Sequence, residues 1–332
     1  MVGSIPYESS SEVFDQVSKQ LGSHLCKIPD GETGERSNWV AWQLPKVLSN
    51  PNLIQQQSTD NKYTQTPRVT LAPGSKAESL TLEDLGYASS ALESYEQFSA
   101  MQNDGAIPQH CRFQVCLPTP VAVTHLYIDQ DVQADFERAY EQALLEELSL
   151  ICKSIPNTKL SIQWDTAVEF ALLEGVMPTY MTEPMKEISA RLLRLAAAVP
   201  PEAEMGFHLC YGDSGHKHFC EPKDMSILVE VANAVTSGST RAIDWIHMPV
   251  PLSRDDAAYF APLKGLKKSA STRLFLGLIH MSDGIEGAIR RINAAKHYCP
   301  DFGVATECGF GRRPKDSLEE LMGIHKLALA SL

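Results

Sequence analysis

The chain has 332 residues, a length that suits two ordinary domains or one α/β barrel. Lys and Arg number 29 against 41 Asp and Glu, and the formal charge of −12 opposes close approach to a phosphate backbone, so nucleic acid is excluded as the expected partner. With 43% hydrophobic and 21% charged residues the sequence lies outside the regime of disorder and can bury a large core.

The opening Met1-Val2-Gly3-Ser4-Ile5-Pro6 has no basic stretch followed by an apolar run, and no segment reaches the roughly 18 apolar residues of a membrane span. The expected location is cytoplasmic, with no membrane partner. Short apolar runs rich in β-formers then alternate with stretches of helical period. Strands are predicted at 2–5, 24–28, 112–117, 159–164, 204–209, 242–248, 273–279 and 302–306, and the clearest helices at 132–153, 185–199, 223–235, 284–297 and 316–332. In the 284–297 helix, Ile285, Ala288, Ile289, Ile292 and Ala295 recur at spacings of three and four, while Glu286, Arg290, Arg291 and Lys296 take the other side. Eight strands each trailed by a helix favour a single-domain (β/α)8 TIM barrel, because closure leaves no edge strand. Residues 44–80 interrupt the alternation. They are rich in Ser, Gln, Asn, Thr and Pro without a sustained period, and read as an irregular insertion after the second strand, either a surface excursion or a lid.

In such a barrel the site is built at the C-terminal ends of the strands, and those ends are polar here. Strand one ends at Ser4, two at Asp30-Gly31-Glu32, four at Asp165, five at His208-Leu209-Cys210, six at His247, seven at His280 and eight at Glu307-Cys308-Gly309. The His208-x-Cys210 spacing puts an imidazole and a thiol on one side of a strand end, where both can reach one zinc ion. Cys308 is the candidate third ligand, since all strand tops surround one axis. A buried thiol beside a hydrogen-bonded histidine is the plain alternative. The chain has eight cysteines and no CxxC pair. Cys26, Cys116 and Cys152 lie in apolar runs and read as small hydrophobes. His216 and His218 read as a solvated turn.

Asp30, Glu32, Glu35 and Arg36 crowd into one Gly-rich stretch, where the carboxylates face either a ligand or Arg36. Asp165 directly follows a buried strand. Two such acids at one mouth would bind an ammonium group.

Together these residues resemble the catalytic barrel of cobalamin-independent methionine synthase, in the uroporphyrinogen decarboxylase and methionine synthase-like superfamily. Val2-Gly3-Ser4-Ile5-Pro6 resembles its IGSFP element, and residues 31–40 resemble HGExERNDMV with one extra residue. Leu117-Pro118-Thr119-Pro120-Val121 resembles LTGPV, Ile162-Gln163-Trp164-Asp165 resembles IQxDEPA, and His208-Leu209-Cys210 resembles HxCY. Glu307-Cys308-Gly309 with Arg312 or Arg313 resembles DCGxxxR. The resemblance spans almost the whole chain. It implies zinc held by His208, Cys210 and Cys308, with Ser4 on a substrate carboxylate and Glu32 and Asp165 on its amine.

Three departures stand out. Thr166 and Ala167 replace the Glu-Pro after Asp165; strand six offers His247 where the family has a glutamate ligand; and His280 stands at a shifted place relative to the family's catalytic histidine. His247 is therefore a candidate nitrogen ligand, and the alternative is three protein ligands with an open position.

The expected function is a zinc-dependent methyl or alkyl transferase that activates a small homocysteine-like thiol as zinc thiolate. Ser4, Asp30, Glu32 and Asp165 would bind substrate, Asp165 and His280 would be catalytic, and His280 would donate a proton to the leaving group. The alternatives are the same barrel used as a lyase, hydrolase or isomerase of a small metabolite, or a barrel without catalysis that serves as a binding protein.

Overall fold

The computed structural model describes residues 1–56, 68–213 and 217–332. Among them nine strands form: β1 (Lys27–Pro29), β2 (Leu53–Gln55), β3 (Val69–Leu71), β4 (Arg112–Pro118), β5 (Leu160–Thr166), β6 (Glu204–Leu209), β7 (Trp245–Pro249), β8 (Arg273–Ile279) and β9 (Gly303–Thr306). Seven of them make one parallel sheet in the order β1-β4-β5-β6-β7-β8-β9. Parallel neighbours require a crossover. Helices Gln133–Ser154, Pro184–Ala198, Ser226–Gly238 and Gly284–Lys296 lie in these crossovers, with Leu318–Leu329 after β9. β5 and β7 are buried at every residue, the pattern of strands covered by helices on one face and by the sheet's own interior on the other.

The sheet is curled. His247 Nε2 on β7 lies 2.9 Å from the Thr306 carbonyl oxygen on β9, although β8 intervenes. The sulfurs of Cys210 and Cys308, which follow β6 and β9, are 3.7 Å apart. In a flat sheet strands three places apart are roughly 14 Å from each other. Only a curl brings these groups together.

Among the described residues closure by an eighth strand is not found, which corrects the expectation for residues 2–5. Gly3 has φ +80°, which breaks the extended chain, and Pro6 has no N–H to donate. The segment instead spans the gap between the two edge strands with single bonds. Ile5 N donates to Gly31 O at 2.9 Å, and Phe310 N donates to Ser4 O at 2.6 Å.

Residues 44–80 carry more order than their composition suggests. The end of helix Gln43–Leu48 lies there, and β2 pairs with β3 antiparallel. Leu53 and Val69 are buried in the core, and Arg68 donates to the carbonyls of His125 and Ile128. Part of the expected lid, residues 57–67, lies outside the described residues. A second difference concerns Arg291, placed by periodicity on the solvent side of its helix but fully buried. Its guanidinium meets both oxygens of Asp283 at 2.7 and 2.8 Å and donates to Leu278 and Leu252 carbonyls. A buried charge that is paired and hydrogen-bonded escapes the rule that cations stay outside. Among the described residues no helix is long and apolar enough to cross a membrane.

Candidate active site

Parallel strands bring all their C-terminal ends to one rim, and one cavity at that rim collects most of the residues singled out from sequence. Ser4, Glu32 and Asp165 line it together with His208, Cys210 and Cys308. Trp39, Asp213 and Arg312 complete the wall. Of the two arginines considered from sequence, Arg312 faces the cavity; its guanidinium is 3.8 Å from Asp213 Oδ2.

On the soft-ligand side, one ligand atom from each of His208, Cys210 and Cys308 lies within 4.8 Å of the others. Two sulfurs bound to one tetrahedral zinc at about 2.3 Å would be about 3.8 Å apart, and the observed 3.7 Å matches. His208 Nε2 is buried with no hydrogen-bond partner, a cost of about 1–3 kcal/mol unless a ligand takes its place. Contact with Cys210 and burial push the Cys308 thiol well up, so it holds its proton until a cation draws it off. The donor set therefore fits a zinc ion.

His247 stands behind this triad. Its Nδ1 is 2.8 Å from His208 Nδ1 and its Nε2 donates to Thr306 O, so both ring nitrogens are engaged. Burial drives His208 well below the ordinary histidine range, and His247 down to about 4.

The opposite wall is acidic. Burial pushes both Glu32 and Asp165 up from the carboxylate range. For Glu32 the Asp165 carboxyl adds to the rise while Arg36 and Arg312 oppose it. Asp165 accepts from Gln163 Nε2 at 2.7 Å, and Gln163 is oriented by Gln114, which donates to its carbonyl at 2.9 Å. The Trp39 side chain also hydrogen-bonds Asp165.

The local chain is bent to build this wall. Glu32 and Trp39 have φ +51° and +49°, left-handed values that cost a residue with a Cβ on the order of 1–3 kcal/mol. Asp30 holds the bend rather than the cavity. Its Oδ1 accepts from Glu32 N at 3.0 Å, its Oδ2 accepts from Arg36 Nη2 at 2.7 Å, and it does not line the cavity. At the other edge, Gly309 and Gly311 let the loop after β9 press on Ser4; a Cβ at either would meet Ser4 atoms within 3 Å.

His280 is placed apart. Its Nε2 donates to Val250 O at 2.8 Å, its Nδ1 is 3.6 Å from Glu307 Oε1, and it is absent from the cavity wall. The other Glu307 oxygen is 3.4 Å from His218 Nε2, so His218 has a buried side chain on a carboxylate instead of the solvated position expected for it. His216 lies outside the described residues.

Sequence reasoning quoted Trp39 and Gln163 inside motifs without giving them roles, and passed over Asp213. The positions of Trp39 and Gln163 beside Asp165 follow from backbone bends and strand register, which no local pattern announces.

No family model matches the chain, and no curated protein sequence matches it. Solved structures do. A B12-independent methionine synthase from Shewanella sp. W3-18-1, in complex with selenomethionine, superposes with a TM-score of 0.61 at 13% identity, over 97% of this chain and 86% of that one. A candidate vitamin-B12-independent methionine synthase from Listeria monocytogenes gives 0.55 at 13% identity, over 96% and 86%. A methyltransferase from Methanosarcina mazei gives 0.54 at 14% identity, again over 96% and 86%. At such identities the likeness establishes a shared fold: this chain has the α/β architecture of methionine synthase-like and methyltransferase structures.

Proposed function

We propose that the chain is a zinc-dependent methyl or alkyl transferase acting on a small thiol that also carries an amino group. The observation that supports this most is the composition of a single cavity. One wall gathers His208, Cys210 and Cys308, and the other carries Glu32 and Asp165. The fold shared with methyltransferase structures agrees with it, as does the selenomethionine in one of them, an amino acid with its chalcogen a few bonds from the amine.

His208, Cys210 and Cys308 would hold the metal. Zinc bound there supplies thiolate at neutral pH, where a free thiol of pKa about 8.5 is mostly protonated. Glu32 and Asp165 bind the substrate ammonium; its charge draws both carboxyls back to their ionised forms, which burial otherwise opposes. Gln163 and Trp39 fix Asp165 for that contact. Ser4, pinned by Phe310 and by the glycines after β9, offers a hydroxyl to the substrate carboxylate. Together they fix the sulfur's position, and alkyl transfer demands that, because donor carbon and nucleophile must meet within roughly 3.5 Å. We assign no proton transfer to His280, whose Nε2 is committed to Val250.

The test is a metal analysis coupled to a transfer screen over homocysteine, cysteine, coenzyme M and glutathione with methyl donors. The reading requires about one zinc per chain and turnover of an amine-bearing thiol that Cys210→Ser abolishes. A protein without zinc whose Cys210→Ser form keeps full activity on its true substrate would end it.

A further inference from the structure

His208 and His247 are register partners on β6 and β7, and both side chains are buried. Their Nδ1 atoms are 2.8 Å apart, a distance that requires one to donate and the other to accept. The far nitrogen of His247 settles which. Its partner is the Thr306 carbonyl oxygen at 2.9 Å, which can only accept, so Nε2 of His247 carries a proton; the Leu209 backbone also lies within hydrogen-bonding reach of the ring. Among the described residues neither ring hydrogen-bonds a carboxylate, and a second proton on His247 would leave a buried charge without a partner. His247 Nδ1 is then a lone pair, His208 Nδ1 is the donor, and His208 Nε2 is left bare. That bare nitrogen is the same atom that has no hydrogen-bond partner.

We infer that His247 is a positioning residue: the chain Thr306 O, His247, His208 fixes the tautomer of His208 and so presents its Nε2 lone pair to the site formed with Cys210 and Cys308. The inference rests on the metal reading proposed above and refines it. With both nitrogens engaged, His247 is not a fourth ligand. Among the described residues three would hold the metal, leaving a position for the sulfur of a substrate thiol, the arrangement of zinc sites that do chemistry rather than hold structure. A carbonyl-oriented histidine behind a ligating imidazole also makes the ligand more basic.

Nitrogen-15 NMR of histidine-labelled protein, without metal and then with zinc titrated in, tests this. The metal-free wild type is expected to show His208 protonated on Nδ1 and bare on Nε2. His247→Leu removes the acceptor; His208 then loses that fixed tautomer, and the zinc Kd rises about 10–100-fold. His247→Asn, whose carboxamide oxygen stands near the lost Nδ1, restores the tautomer and most of the affinity. Three results overturn the inference: His208 protonated on Nε2 in the wild type, a His247→Leu protein that loses zinc as completely as Cys210→Ser, or one whose tautomer and affinity do not change. Should His247→Leu fail to fold, the wild-type spectrum alone still decides. Wild type that binds no zinc but shows the expected tautomer would sink the functional reading and leave the relay standing.

Discussion

The two ends of the same parallel sheet treat charge in opposite ways. At the N-terminal end, Lys27, Arg112, Glu204 and Arg273 are the first residues of β1, β4, β6 and β8, and they close on one another. Glu204 meets Lys27 at 2.5 Å and Arg273 at 2.7 Å, and Lys27 also lies 4.5 Å above the Trp245 ring. Burial alone would raise the Glu204 carboxyl, yet Lys27, Arg273 and Arg112 hold it below its ordinary range. At the C-terminal end, Glu32 and Asp165 are pushed up, His208 is pushed down, and His208 Nε2 has no hydrogen-bond partner. At the first rim the Glu204 charge is held by its partners and serves the fold, while burial pulls Lys27 down to about 8. Polar groups left wanting at the other rim would serve a ligand in the proposed function, because such groups are costly until a partner satisfies them.

Each rim can be perturbed on its own. The largest expected effect is at the structural rim. Glu204→Ala leaves Lys27 buried without its counter-charge and should cost about 3–5 kcal/mol in denaturant unfolding, while zinc content per folded chain stays the same. If zinc binding fell with stability, the two rims would not be separable. Next, Cys210→Ser should weaken zinc binding by a hundred-fold or more, on the order of 3 kcal/mol, as expected when one of a few ligands is lost. Without metal its stability should stay within about 1 kcal/mol of wild type, measured by chelator competition and by melts in chelator.

A smaller effect sharpens the acidic wall. Glu32→Gln should weaken an amine-bearing thiol by about 1.5–3 kcal/mol and leave zinc affinity alone. The pH dependence follows from the direction of the shifts. Glu32 and Asp165 titrate higher in the folded chain than in the unfolded one, so the ligand-free protein loses stability as pH rises from the ordinary carboxylate range through the raised values. An ammonium group prefers both ionised, so its binding should tighten over the same interval and expel on the order of one proton. Calorimetry in buffers of different ionisation enthalpy reads that proton, and Glu32→Gln should reduce it. Proton uptake would contradict the assignment.

Much of this was legible in the sequence, for reasons that differ by residue. His208-x-Cys210 is a local spacing on one strand, and the strand ends at 165, 210 and 308 were readable because apolar runs stop there. Their meeting depends only on parallel order and curl. The strand expected at 2–5 was wrong because one positive φ at Gly3 and the proline at 6 outweigh the β-branched Val2 and Ile5. Arg291 misled the helical wheel because its partner Asp283 lies outside its own helix, just before its start. The role of His247 was beyond reach: ligand and support look alike until distances to His208 and Thr306 are known. Trp39 needed a left-handed turn that nothing in Asn38-Trp39-Val40 signals.

The central claim is that one imidazole and two sulfurs from β6 and β9 share a single ion. X-ray absorption at the zinc edge of the purified protein tests it most directly. The account predicts about one zinc per chain with two sulfurs at about 2.3 Å and one nitrogen at about 2.0 Å, and one sulfur fewer in Cys308→Ser if any metal is retained. A first shell of nitrogen and oxygen alone, unchanged by Cys308→Ser, would contradict it.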